Sequence, residues 1–167
     1  MIRAARETDA TAICAVWNPI IRDTAITFNS VEKTATEIAG TIAQKRQDGH
    51  GFWVAQAADG QLDGFATYGQ FRGGAGYART VEHTVILGAP ARSRGTGRAL
   101  LETLEDHARR SGAHQILAGI SGENPGGIAF HAAMGYRPVV VLPEVGWKFG
   151  RFMDLHLMVK RLSPLAG

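Results

Sequence analysis

Val81-Glu82-His83-Thr84-Val85-Ile86-Leu87, followed after a short turn by Arg92-Ser93-Arg94-Gly95-Thr96-Gly97-Arg98-Ala99-Leu100-Leu101, is the stretch that decides how this chain folds. Val, Ile and Thr crowd its first part, as the pleated surface of a strand favours. Its second part opens on glycines and arginines and passes into the apolar spacing of a helix. The first N–H groups of a helix have no partner inside it, and the helix dipole makes that end partly positive. The turn from Arg92 to Ala99 can therefore cradle a pyrophosphate, and an anionic ligand is the first expectation.

Three phosphate-binding patterns compete for this turn. A P-loop ends in Gly-Lys-Ser/Thr, whereas Gly97 is followed by Arg98 and Ala99. A dinucleotide fingerprint needs a third glycine where Leu100 stands, after the first strand of a parallel series. The pattern that remains is Arg/Gln-x-x-Gly-x-Gly/Ala between a strand and a helix, met at Arg92, Gly95 and Gly97. Standing alone, the loop would serve equally well as a basic surface turn, so the rest of the chain has to decide.

With 167 residues the chain fits a single domain over 1–167 that buries enough surface to need no staple. A net charge of +3, scattered in pairs such as Arg109-Arg110 and Lys160-Arg161, is not a nucleic-acid-binding block and suits a small acidic ligand. The one cysteine, Cys14, excludes an internal disulfide and a cysteine metal site. Its neighbours Ile13, Val16 and Trp17 mark it as a buried helix residue rather than a nucleophile. Met1-Ile2-Arg3 leads into a polar pattern, and no apolar run approaches the roughly 18 residues of a membrane span. A cytoplasmic protein with no membrane partner is expected.

Along the chain, Ile2 to Ala5 reads as a strand, and Thr8 as the cap of a helix from Asp9 to Arg22 with Ile13, Val16, Trp17, Ile20 and Ile21 inward. Thr34 and Glu37 form a capping box for a helix reaching Gln47. Phe52 to Ala57 and Leu62 to Gln70 are hairpin arms around Asp59-Gly60, and a Gly-rich loop from Phe71 to Arg79 leads into the strand Thr80 to Leu87. The helix Thr96 to Arg110 turns Leu100, Leu101, Leu104 and Ala108 inward. Gln115 to Ile120 is a strand, Pro125 to Met134 a helix whose Gly126-Gly127 pair loosens its start, and Tyr136 to Leu142 and Arg151 to Arg161 close the sheet. The order βααβββαβαββ predicts an α/β fold: one mixed, mostly antiparallel sheet with helices on both faces.

That order, with the loop at Arg92, resembles the GNAT acetyltransferases, whose central sheet splays open at the acetyl-CoA site. Within them the chain is similar to the phosphinothricin and methionine sulfone N-acetyltransferases over nearly its full length. The carriers are Ile2-Arg3 with Asp9, Asn18 with Ile21 and Thr24, Thr27-Phe28, Phe71-Arg72, Thr80 to Val85, Gly135-Tyr136 and Gly146 to Asp154.

The resemblance implies a set of roles. Glu82 is the general base, because an ammonium must lose a proton before it attacks a thioester. His83 alternates to the other face of the strand and reads as structural. Backbone groups of Val85, Ile86 and Leu87 would line the pantetheine arm, and Arg92, Ser93, Arg94, Gly95, Thr96, Gly97, Arg98 and Ala99 would hold the pyrophosphate. Asn124, a favoured helix cap, would also hold the pantetheine end. His131 stands where a residue protonates the departing thiolate or fixes the sulfur by a hydrogen bond; as a bare sequence position it reads equally as a solvated helix histidine.

Phe28, Arg72, Ala75, Gly76 and Tyr77 would form the acceptor pocket, the arginine gripping a carboxylate, sulfone or phosphinate. Tyr77-Ala78-Arg79-Thr80 departs from the family's usual aromatic-basic-aromatic-Thr, which bears on the head group recognised and on phosphinothricin as a substrate. The acceptor is expected to be a small amino acid or analogue, acetyl-CoA the donor, and no metal is called for. Val145 to Asp154 holds Trp147, Phe149, Phe152 and Met153, too many large apolar groups for one strand face, and the resemblance implies a homodimer through this hairpin. Two other readings stand beside this one: an enzyme for another amine such as a polyamine or a protein N-terminus, and a non-catalytic acyl-CoA-binding regulatory domain.

Overall fold

The computed structural model describes residues 1–162. Seven strands form one sheet in the order β1-β2-β3-β4-β5-β7-β6. They are β1 (Ile2–Ala4), β2 (Phe52–Gln56), β3 (Leu62–Gln70), β4 (Thr80–Leu87), β5 (Gln115–Ser121), β6 (Arg137–Lys148) and β7 (Arg151–Arg161). Four α-helices cover it: α1 (Ala10–Asp23), α2 (Ala35–Gln47), α3 (Thr96–Arg110) and α4 (Pro125–Ala133).

β4 is the pivot of this sheet. On one side it pairs antiparallel with β3 along its length, from Gln70↔Val81 to Gly64↔Leu87. On the other it pairs parallel with β5 only from Thr80↔Gln115 to His83↔Ala118. Beyond that pair the two strands part, which is the expected splay. Every other pairing in the sheet is antiparallel.

Side chains of β4 alternate between two cores. Val81 packs with Leu100, Leu101, Leu104 and Ala108 of α3, and Ile86 with Ile13 and Ile20 of α1 and Ile38 and Ile42 of α2. The three α3 leucines are fully buried, each stabilising the fold by roughly 1.5–3 kcal/mol. They fix the helix whose first turn carries the Arg92 loop. At α2 the capping box forms as read: Thr34 Oγ1 accepts from the Glu37 N–H at 3.2 Å, and Glu37 Oε2 accepts from the Thr34 N–H at 2.8 Å.

Two expectations need correction. Thr8 does not cap α1, because it lies inside a single 3-10 turn, Glu7–Asp9, and the helix starts at Ala10. The Asp9 carboxylate organises that turn, accepting from the Arg6 N–H at 2.8 Å and from both terminal nitrogens of Arg3 at 2.8 Å. β6 runs to Lys148 rather than stopping at Leu142: an irregularity between Leu142 and Gly146, with Glu144 at φ 56°, is absorbed as a bulge and pairing resumes at Gly146↔Met153. Phe149 and Gly150, at φ 54° and 73°, then close the hairpin as a type I′ turn demands. Cys14 is half-buried on α1, and burial raises its thiol pKa, which keeps it protonated.

Candidate active site

Where β4 and β5 part, two cavities open and run into each other. The first, about 380 Å³, is walled by Trp17, Ile26, Thr27 and Phe28 and has Glu82 on its floor. The second, about 410 Å³, is walled by Ile20, Leu87 and Phe130 and reaches Arg92, Ser93 and Gly97. Ile26, Val85, Ile86, Asn124 and His131 line both. A molecule lying in the second cavity therefore meets one lying in the first at the point where the sheet opens.

The second cavity ends on the start of α3. Ser93 at φ 61° and Gly95 at φ 81° curl the backbone ahead of the helix, and no side chain caps its first turn. Those N–H groups are left for a ligand, which is the chemistry a pyrophosphate needs. Arg92, Arg94 and Arg98 are exposed around them; Arg98 pairs at 3.5 Å with Glu102, while Arg92 and Arg94 have no ion-pair partner among the described residues. Gly97 is buried, and a Cβ there would lie 3.1 Å from Leu87 Cδ1 and 3.5 Å from the Phe130 ring, both walls of this cavity. Beyond His83, β4 has no strand on its β5 side, so the backbone of Val85, Ile86 and Leu87 offers an unpaired edge to an extended chain.

At the junction, Asn124 caps α4 and its Oδ1 accepts from the Gly127 N–H at 2.9 Å. His131 is buried rather than solvated, and its Nδ1 lies 2.7 Å from the Gly127 carbonyl. A carbonyl can only accept, so Nδ1 carries the proton and Nε2 presents a lone pair. Nε2 has no partner among the described residues. Burial lowers the His131 pKa, which favours the neutral ring. Gly127 thus serves both residues, and a Cβ on it would meet Asn124 Nδ2 at 2.4 Å. The expected loosening at Gly126-Gly127 is replaced by a capped helix start.

Glu82 keeps contact with solvent, yet the protein around its carboxylate is dense enough that desolvation raises its pKa. Gly119, the first β5 residue past the last pair with β4, makes its room: a Cβ there would lie 3.0 Å from Glu82 Oε1. His83 faces the opposite side, buried and stacked on His131 with ring centroids 5.1 Å apart. Burial and the neighbouring His131 push its pKa down to about 3. It also lines the first cavity, a contact that alternation alone did not reveal.

Of the expected acceptor residues, only Phe28 lines the first cavity. Arg72, Ala75, Gly76 and Tyr77 sit in the exposed loop that enters β4 at Thr80, and line neither cavity. The Arg72 guanidinium instead lies over the Tyr77 ring, 5.5 Å from its centroid. Trp17, Thr27, Asn29 and Leu155 line the cavity without having been assigned to the acceptor pocket. Trp17 was legible only as an apolar helix position.

A sheet that opens beside a helix start with free N–H groups, with a carboxylate on one side of the opening, defines an acyl-carrier-type site for transfer to an amine. A model of the acetyltransferase (GNAT) domain matches residues 2–157, and the chain belongs to that family. Its chemistry is transfer of an acetyl group from acetyl-CoA. An L-methionine sulfoximine/L-methionine sulfone acetyltransferase of Pseudomonas paraeruginosa is 32% identical, over 98% of this chain and 95% of its own length. An L-amino acid N-acyltransferase of Escherichia coli is 33% identical, over 97% of this chain and 94% of its own. A Salmonella typhimurium acetyltransferase solved with its cofactor acetyl-CoA superposes with a TM-score of 0.93 at 32% identity, covering 100% of this chain and 96% of that one.

Replacing Gly97 by leucine fills the second cavity beside Leu87 and Phe130. Titration calorimetry is expected to give an acetyl-CoA dissociation constant raised roughly tenfold or more, with the far-ultraviolet circular dichroism of the wild type. Unchanged affinity would remove the cofactor from this helix start.

Proposed function

We propose that this enzyme acetylates the α-amine of small amino acids and their analogues, with methionine sulfone and methionine sulfoximine as representative acceptors. The observation that carries the proposal is the first cavity itself: Glu82 is the one charged side chain among its lining residues. One carboxylate in an otherwise uncharged pocket suits one ammonium group. A polyamine would bring a second cation with no counter-charge among the lining residues. The activities named for the two relatives point the same way. Arg72 and Tyr77, on the exposed loop that enters β4, are proposed to meet the acceptor's outer anionic group.

The mechanism needs no covalent acetyl-enzyme. Glu82, directly or through a water, takes a proton from the ammonium group, and the free amine attacks the thioester carbonyl from the first cavity. The tetrahedral oxyanion forms beside the open edge of β4, where a backbone N–H stabilises it. The nitrogen, now cationic, passes its second proton to His131 Nε2, the unpartnered nitrogen of a ring that lines both cavities. The imidazolium so formed is disfavoured by burial and returns the proton to the departing thiolate. One proton leaves to solvent through Glu82, and the products are the amide and the thiol. The proposed location is the cytoplasm; among the described residues no helix is long and apolar enough to cross a membrane.

The proposal includes a homodimer. Val145, Trp147, Phe149 and Phe152 are 55–61% exposed on the β6–β7 hairpin, a patch that a lone protomer has no reason to keep wet. Trp147 and Phe152 pack edge to face at 4.6 Å and present one surface.

Four outcomes test this reading. In an acceptor panel followed by thiol release, methionine sulfone or sulfoximine is expected to give a higher kcat/KM than spermidine or a peptide N-terminus; the reverse order would overturn the acceptor class. Glu82→Gln is expected to lower kcat by roughly ten- to a thousandfold while leaving acetyl-CoA affinity within twofold. Since the base works only when ionised and its pKa is raised, the wild-type rate falls as pH drops through a value above the ordinary carboxylate range near 4, and Glu82→Gln abolishes that limb. Light scattering at micromolar concentration is expected to report a dimer, and a monomer would contradict the assembly.

A further inference from the structure

Lys148 is a buried cation without a counter-ion. It is 3% exposed, and no carboxylate among the described residues lies within ion-pair distance of it. Its Nζ donates instead to two backbone carbonyls, Thr24 O at 2.7 Å and Thr27 O at 2.8 Å. Thr24 is the C-terminal cap of α1, where helix carbonyls lack internal partners and the dipole favours positive charge. The Phe149 ring lies 5.1 Å from the ammonium and adds a second soft counter-surface. A lysine is rarely buried without purpose, and the two carbonyls show what this one holds.

Residues 24–29 leave α1 without joining any strand or helix, and they supply Ile26, Thr27, Phe28 and Asn29 to the wall of the first cavity. The local bonds in this segment are few: the Thr24 N–H and Oγ1 to Ile20 O, the Ile26 N–H to Thr24 Oγ1, and two from Asn29 to Thr27 Oγ1. The β6 backbone supports it from the same side as Lys148. A Cβ on Gly146 would lie 2.5 Å from the Phe28 ring, so that ring is seated directly against the strand. Gly146 and Lys148 alternate inward, while Val145 and Trp147 alternate outward into the apolar patch.

We propose that Lys148 is a positioning residue for the acceptor: its ammonium ties Thr24 and Thr27 to β6 and thereby fixes Phe28 as a wall of the acceptor cavity. The proposal rests on the reading of the first cavity as the acceptor site. The lysine touches no reacting atom, and of the segment it ties only Ile26 also borders the second cavity, so its removal acts chiefly on acceptor binding. The hairpin that forms the outer patch and the wall that selects the acceptor are one piece of structure, joined at this residue.

Lys148→Met keeps the length of the side chain and removes its donors. Deuterium exchange of the 24–29 peptide, which needs no acceptor, is expected to quicken at least severalfold in the variant. The acceptor KM, measured with methionine sulfone or with whichever amine the panel ranks first, is expected to rise roughly tenfold, with kcat changed less than KM and acetyl-CoA affinity within twofold. Lys148→Arg, which keeps charge and donors, is expected to recover part of that loss. Should Lys148→Met fail to fold, Gly146→Ala tests the same wall by pushing on Phe28, with the same selective rise in KM. Exchange and acceptor KM both unchanged in the folded variant, or acetyl-CoA affinity lost in parallel with acceptor affinity, would overturn the proposal. Failure of every amino-acid acceptor with wild-type protein would instead overturn the acceptor class and leave the exchange result standing.

Discussion

The four-residue parallel pairing of β4 with β5 is the constraint on which the rest of the molecule depends. Parallel strands need a crossover, and here it is the Arg92 loop with α3, packed on the sheet by Leu100, Leu101 and Leu104. The crossover therefore carries a helix start to the end of β4. Because the pairing stops at His83 and Ala118, the strand that leads to that helix start also has a free edge. One topological choice sets both ends of a groove, with N–H groups of the helix at one end and N–H and C=O groups of the strand at the other.

Alternation along β4 then decides where the chemistry sits. Glu82 points to the face covered by α1 and α2, and His83 to the face of α3 and α4. In a closed sheet the two faces would never communicate. The opening after His83 brings both faces to one junction; in the proposed mechanism the acceptor approaches over Glu82 while the thioester end lies against His131, which α4 holds through the Gly127 carbonyl. Desolvation acts on both groups in directions that suit the roles proposed for them: it raises the proton affinity of the carboxylate and lowers that of the imidazole.

The part of the fold carried by local pattern was legible in the sequence. β4 and α3 fall within the boundaries that β-branched residues and leucine spacing assign, and Thr34 with Glu37 makes the capping box its spacing requires. What was not legible depends on partners far away in the chain. Thr8 is a good cap by type, but Asp9 is captured by Arg3 and reshapes the turn. β6 continues through its irregular stretch because β7 supplies pairing on the far side of it. In the candidate site, the loop glycines, Glu82, Asn124 and His131 carry signals of type and spacing. The wall made of Trp17, Thr27 and Asn29 does not, since nothing local says that the segment after α1 is held against β6 by Lys148. Arg72 is the converse case: its type suggests an anion fork on a loop, and only the fold shows it outside both cavities, over the Tyr77 ring.

The central claim is that acetyl-CoA lies along the open edge of β4 with its pyrophosphate on the start of α3. Residue-resolved amide exchange of the free and acetyl-CoA-bound protein tests it most directly. Slower exchange on binding is predicted among the amides of Val85 to Leu87 and of Thr96 to Ala99, with Val81 and Glu82, which already lie between β3 and β5, unchanged. Protection confined to another part of the sheet, with Val85 to Leu87 exchanging as in the free protein, would contradict it.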